Sequence, residues 1–104
     1  MITIKVAEDF SDVLGGRFRT DGDYSGEEFY ETLLCRKFDT AVKNKEKLLI
    51  DLDGTFGYPS SFIDQSFGEL SRRFGSNIVL KFIELKSEDQ PSLIDDIVKN
   101  IKGE

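Results

Sequence analysis

The sequence predicts a single small α/β domain, a mixed sheet of about four strands with three helices, and three stretches carry that expectation. Leu48, Leu49, Ile50 and Leu52 make a short continuous apolar run, the mark of a strand buried on both faces and therefore central in its sheet. Ile63, Phe67, Leu70 and Phe74 recur at spacings of four, three and four residues, which puts them on one face of a helix. Ile78 to Leu85, IVLKFIEL, is rich in branched and aromatic residues and predicts a further strand.

Taken in order, Ile2, Ile4 and Val6 alternate with polar neighbours and predict a first strand with one buried face. From Ala7 to Tyr24 the apolar residues are scattered and Gly15, Gly16 and Gly22 intervene, so a turn-rich connection is expected, with a short second strand near Arg17 to Arg19. Ser25 and Glu28 have the spacing of a capping box and open a helix, with Glu27 and Glu28 suited to its positive end. Tyr30, Leu34, Phe38, Ala41 and Val42 form its buried stripe, with Phe29 and Leu33 beside it, and Lys43, Lys45 and Lys47 crowd its far end. After the apolar strand, Gly54 and Gly57 break the chain and Pro59 disfavours helix at Tyr58. Ser61 and Asp64 repeat the capping spacing and predict that Ser61 caps the next helix, which Arg72, Arg73 and Gly75 close. Ser87 to Gln90 make a polar turn, and Pro91 starts a last helix with Ile94, Ile97, Val98 and Ile101 on one face.

At 104 residues the chain holds one core, and nine phenylalanines with 38% apolar residues argue against disorder. A net charge of −6 opposes non-specific binding to nucleic acid or anionic lipid, so neither is an expected partner. The absence of histidine removes the commonest general base and transition-metal ligand, and no metal or cofactor is expected. Cys35 has no partner for an intrachain disulfide and sits near the edge of an apolar stripe, as a small, partly buried thiol. No apolar stretch approaches the ~20 residues of a membrane span. Met1 leads straight into the alternating ITIKV with no visible signal peptide, so the cytoplasm is the expected location.

Two polar constellations have both a structural and a chemical reading. Asp51-Leu52-Asp53-Gly54-Thr55 resembles the opening motif of haloacid dehalogenase-like phosphatases, a resemblance that implies a nucleophile at Asp51 and a general acid at Asp53. The downstream βα units and strand-end acidic pair of that family have no counterpart, since Asp95-Asp96 falls within a helical pattern; strand-end turn chemistry is the expected role. Gly15-Gly16-Arg17 reads as a tight turn followed by a solvated arginine, or as an anion site in which Gly16, Arg17 and Ser25 take part; the turn is favoured. Phe56 and Tyr58, two aromatics in a glycine-flanked loop, must either fold back onto the core or meet a partner.

A buried strand, a loop and then Ser60-Ser61 at a helix start resembles the regulatory loop of STAS domains, the anti-sigma-factor-antagonist fold. Matching the serine pairs puts Ser61 on the phosphoacceptor and Ser60 on its neighbour, while Pro59 stands where the motif has aspartate and Phe62 where it has glycine. The chain is more closely similar to a STAS-like family of unknown function. The carrying blocks are Phe10-Ser11 with Gly15-Gly16-Arg17, then Ser25-Gly26-Glu27-Glu28-Phe29, then Ser60-Ser61-Phe62 with Asp64, Phe67, Gly68 and Leu70. The resemblance implies a prokaryotic, non-catalytic regulatory module that switches partners under serine phosphorylation, the partner being a histidine-kinase-type ATP-binding regulator. The expected contact loop comprises Phe56, Gly57, Tyr58, Pro59, Phe62 and Asp64. A small-ligand, nucleotide or anion sensor using the same loop, and a phosphatase fragment, remain the alternatives.

Overall fold

The computed structural model describes residues 1–104. Its sheet has three parallel strands in the order β1-β2-β3, with β1 at Ile2–Lys5, β2 at Leu48–Asp51 and β3 at Ile83–Lys86. Ile2, Leu48 and Ile83 lie side by side, as do Ile4, Ile50 and Leu85. Side chains alternate across a strand, so these residues share one face, and Ile4, Leu48 and Ile50 on it are fully buried. The other face carries Thr3, Leu49 and Glu84 in one row and Lys5, Asp51 and Lys86 in the next, none of them buried. The apolar run is thus central, but it is covered on one face rather than two. The Lys5, Asp51, Lys86 row alternates in sign from strand to strand, which suits a face in water.

Five helices complete the fold. α1, Val6–Asp9, is a single turn. α2 spans residues 26–44, with a wide π-turn at Tyr30–Leu34 between Gly26–Phe29 and Cys35–Asn44. α3 spans residues 60–74, with a second π-turn at Asp64–Gly68. α4 is Ser76–Phe82 and α5 is Ser92–Lys102. At each wide turn two fully buried core residues stand five positions apart: Phe29 and Leu34, and Phe62 and Phe67. An i to i+5 turn brings such a pair onto one side of the helix, where a regular turn would not. Thr32 Oγ1 donates to the Glu28 carbonyl and Ser66 Oγ to the Phe62 carbonyl, both at 2.7 Å, so a hydroxyl serves a carbonyl at each wide turn.

One expected strand is absent and another is shortened. The segment near Arg17 to Arg19 is no strand; it leads into a 3-10 turn at Arg19–Asp21. Its backbone is committed elsewhere, since the Gly16 and Arg17 carbonyls accept from the Gly26 and Glu27 N–H groups at 2.9 and 3.0 Å. The sheet is therefore smaller than expected, and wholly parallel instead of mixed. The apolar stretch from Ile78 pairs only from Ile83 onward, because β2 offers partners just as far as Leu48. With no strand to join, Ser76–Phe82 coils into α4, burying Val79 and leaving Ile78 40% exposed.

The core is one cluster between the sheet and the helices, in which Phe29, Phe38, Phe62 and Phe67 are fully buried. Phe29 stacks near Phe62 at 5.6 Å between ring centroids, and Phe10 packs on Phe29 at 5.2 Å. This contact requires glycine at the start of α2, because a Cβ on Gly26 would lie 2.7 Å from the Phe62 carbonyl oxygen. Gly26→Ala is expected to lower the unfolding free energy by about 1–3 kcal/mol, the usual cost of overpacking. Urea denaturation checks it against Gly16→Ala, whose added Cβ would find its nearest neighbour at 3.7 Å. Equal midpoints for the two variants would refute the close-approach account.

Candidate protein-interaction site

The loop from β2 to α3 is pinned at nearly every turn. Asp51 Oδ1 accepts from the Asp53 N–H at 3.0 Å, and the Asp53 carboxylate in turn accepts from the Glu88 and Asp89 N–H groups, at 2.9 and 3.0 Å. These two backbone donors, Asp89 first and then Glu88, hold the Asp53 carboxyl below its ordinary range. Asp89 returns the contact by accepting from the Gly54 N–H at 3.1 Å. Both aspartates of the phosphatase-like motif are thus engaged in the turn chemistry expected of a strand end.

The two loop aromatics separate. Tyr58 folds back: its hydroxyl donates to the Leu52 carbonyl at 2.8 Å, its ring meets Phe62 edge-on, and burial pushes its phenol well above the ordinary value. Phe56 points away and is 85% exposed, although its N–H donates to the Asp12 carbonyl at 2.9 Å. Val13, 57% exposed, stands beside it across a hollow of about 320 Å³ that Leu14, Gly57, Tyr58 and Pro59 also line. Val13 carried no signal in the sequence, since it lies in the unpatterned connection.

Ser60 and Ser61 begin α3, but the cap position belongs to Pro59, and no side chain caps the helix. Ser61 is therefore not the N-cap that its spacing to Asp64 predicts. Ser60 is exposed, Ser61 half-buried, and Phe62 fully buried in the core. Ser25, in contrast, is a true cap: it is fully buried and its Oγ accepts from the Glu28 N–H at 3.1 Å. With Gly16 and Arg17 serving Gly26 and Glu27, the first amides of α2 are taken up within the protein.

Asp64 gathers a polar hub that local spacing could not reveal. Its Oδ2 accepts from Arg17 Nη1 at 2.5 Å, its Oδ1 from Arg72 Nη1 at 3.2 Å, and Arg72 Nε also donates to Glu69 at 3.0 Å. Arg17, expected as a solvated arginine, is thus paired and only 36% exposed at its side chain. Asn100 Nδ2 approaches Asp64 Oδ1 at 3.5 Å, while Asn100 Oδ1 lies 2.5 Å from where a Cβ on Gly68 would stand. Glycine at 68 leaves room for the Asn100 side chain of α5 to lie against α3. The Arg17 guanidinium, with Arg72 assisting against partial desolvation, holds the Asp64 carboxyl below its ordinary range.

A carboxyl depressed in the folded state contributes stability that is complete above its unfolded pKa, about 3.9, and lost as pH falls through the folded value. Arg17→Ala is expected to cost about 1 kcal/mol at neutral pH, a modest figure because the pair is about one-third exposed. The deficit should shrink below about pH 4 and vanish once Asp64 is protonated. Urea melts of both proteins across that range check it; a deficit independent of pH would assign the effect to packing of the arginine stem.

The three sequence blocks that resemble the STAS-like family meet at this end of the molecule, through Phe10 on Phe29, Gly26 on Phe62 and Arg17 on Asp64. No curated protein and no solved structure gives a significant match to the chain. A family model does match, over residues 25–93, which include the second and third of those blocks, and the chain therefore belongs to the STAS-like domain family of unknown function (DUF4325).

Proposed function

We propose that the protein is a non-catalytic regulatory module that binds another protein through the loop from Phe56 to Asp64. The observation that carries this is Phe56, 85% exposed on a loop otherwise held by backbone and carboxylate hydrogen bonds. A large aromatic in water forgoes about 1.5–3 kcal/mol of burial, and a fixed loop presents it with little entropy left to lose on docking. The partner that the family resemblance implies is a histidine-kinase-type ATP-binding regulator.

Phosphorylation of Ser60 or Ser61 is the switch in this reading. Neither hydroxyl is used to cap α3, whose backbone bonding begins with the Ile63 N–H to the Pro59 carbonyl at 3.1 Å. A phosphate there gains the uncapped first turn and adds ~1.5 to 2 negative charges one turn before Asp64. It would thus change what the loop presents without disturbing the core. The Asp51-Leu52-Asp53 motif serves the loop and not a reaction.

Replacing Phe56 by a photo-crosslinking benzoylphenylalanine in the native cell is expected to trap one partner, which Ser60→Asp or Ser61→Asp then loses while the thermal melt stays cooperative. Adducts with the chain itself alone, or unchanged trapping in both aspartate variants, would refute the contact or the switch respectively. Hydrolysis of p-nitrophenyl phosphate with magnesium should stay at background for the purified protein and for Asp51→Asn alike. An activity that Asp51→Asn abolishes would overturn the non-catalytic reading.

A further inference from the structure

Gly57 and Tyr58 border not one hollow but three. Beside the one shared with Val13, a groove of about 430 Å³ runs between the start of α3 and α5 from Leu93 to Asn100, with Ile63 and Leu93 in its walls. A smaller depression of about 70 Å³ lies between the loop and the β3–α5 turn and also touches Leu93. The three adjoin at Gly57 and Tyr58 and form one track across the loop, in which Val13, Leu14, Ile63 and Leu93 alternate with polar residues.

The charge along this track is of one sign. Asp89 and Asp96 are the charged residues that line it, and no lysine or arginine does. Neither Asp89 nor Asp96 belongs to an ion pair, so both charges are open to a cation from outside. The remaining hollow of the molecule, at Tyr30 and Cys35, is balanced, with Arg36 and Arg73 facing Glu31 and Asp39. Of the hollows, those along the loop are thus the ones whose charged lining is acidic alone.

We infer that the track accepts a basic-apolar segment of a partner protein, in which lysines or arginines flank the hydrophobic side chains that cover Phe56 and enter the α3–α5 groove. The inference rests on the loop being a protein-binding site and adds the chemistry of what binds there. A long basic side chain fits both features, its methylene stem along Tyr58, Ile63 and Leu93 and its cation at Asp96. A second copy of this chain does not, because a symmetric contact would set one acidic margin against the other.

A random peptide library displayed on phage, selected on the immobilised full chain and counter-selected on Phe56→Ser, tests this. Phe56→Ser alters an exposed side chain and is expected to keep the fold. Enriched peptides should join lysine or arginine to aliphatic or aromatic residues. A synthetic representative should bind Asp96→Asn about threefold more weakly and Phe56→Ser at least about tenfold more weakly, and it should lose affinity with added salt. Phe56-dependent peptides that are neutral or acidic would overturn the charge inference and leave the loop site standing. Basic peptides that bind Phe56→Ser equally well would show diffuse attraction to an acidic surface and also overturn it. If no peptide depends on Phe56, the loop reading falls as well.

Discussion

The close approach of α2 to α3 at Gly26 is the constraint on which the rest of this structure depends. With a Cβ position only 2.7 Å from the Phe62 carbonyl oxygen, the two helices start as near to one another as backbone allows. That proximity brings Phe29 to Phe62 and lets Phe10 close over both. It also buries Ser25 and Gly26, so the first amides of α2 must find partners within the protein. Ser25 supplies one and the Gly16 and Arg17 carbonyls two more, which draws the glycine-rich connection across the helix ends and away from the sheet. Arg17, carried along, then reaches Asp64, 47 residues further on. The absent second strand is thus a consequence of helix packing.

The wide turns follow from the same packing. Phe29 must meet Phe62 and Phe67, at 5.6 and 6.2 Å, while Leu34 and Phe38 further along α2 still face the core. A strictly regular helix would rotate Leu34 about 140° away from Phe29, since each residue turns the helix by about 100°. One looser turn in each helix keeps both halves against the core. The large fully buried side chains can then gather on one side of a three-stranded sheet, whose other face carries charged and polar residues around a partly exposed Leu49.

How much of this was legible in the sequence depends on the range of the interaction responsible. Ser25 and Ser61 make the comparison, for both precede an acidic residue by three positions. Ser25 caps its helix, but Ser61 does not, because Pro59 takes the cap position and Asp64 is held by Arg17 and Arg72. The last helix was legible from its periodicity, and its stripe needs only Leu93 added at the start. Ile78 to Phe82 misled because branched residues favour strands only when a neighbouring strand is there to pair with. The wide turns were not legible, because Ile63 and Phe67 keep the four-residue step of a regular helix while Phe62 is also buried. Phe56 was legible as a loop aromatic, whereas Val13 and the Asp64 hub with Asn100 depend on contacts no local pattern records.

Stability explains the loop's framework but not what the framework displays. Asp53 ties the β2 end to the β3–α5 turn, Asp89 answers through Gly54, and Tyr58 closes the circuit on the Leu52 carbonyl. Each of these contacts lowers the entropy of the loop, and together they would serve equally well with a small polar residue at position 56. Instead the chain places a phenylalanine there, 85% exposed and next to an exposed valine. An exposed aromatic on a mobile loop would be free to settle onto any nearby apolar surface. One fixed at its own amide by the Asp12 carbonyl has no such freedom, and that is the physical support for the proposed docking of another protein at this loop.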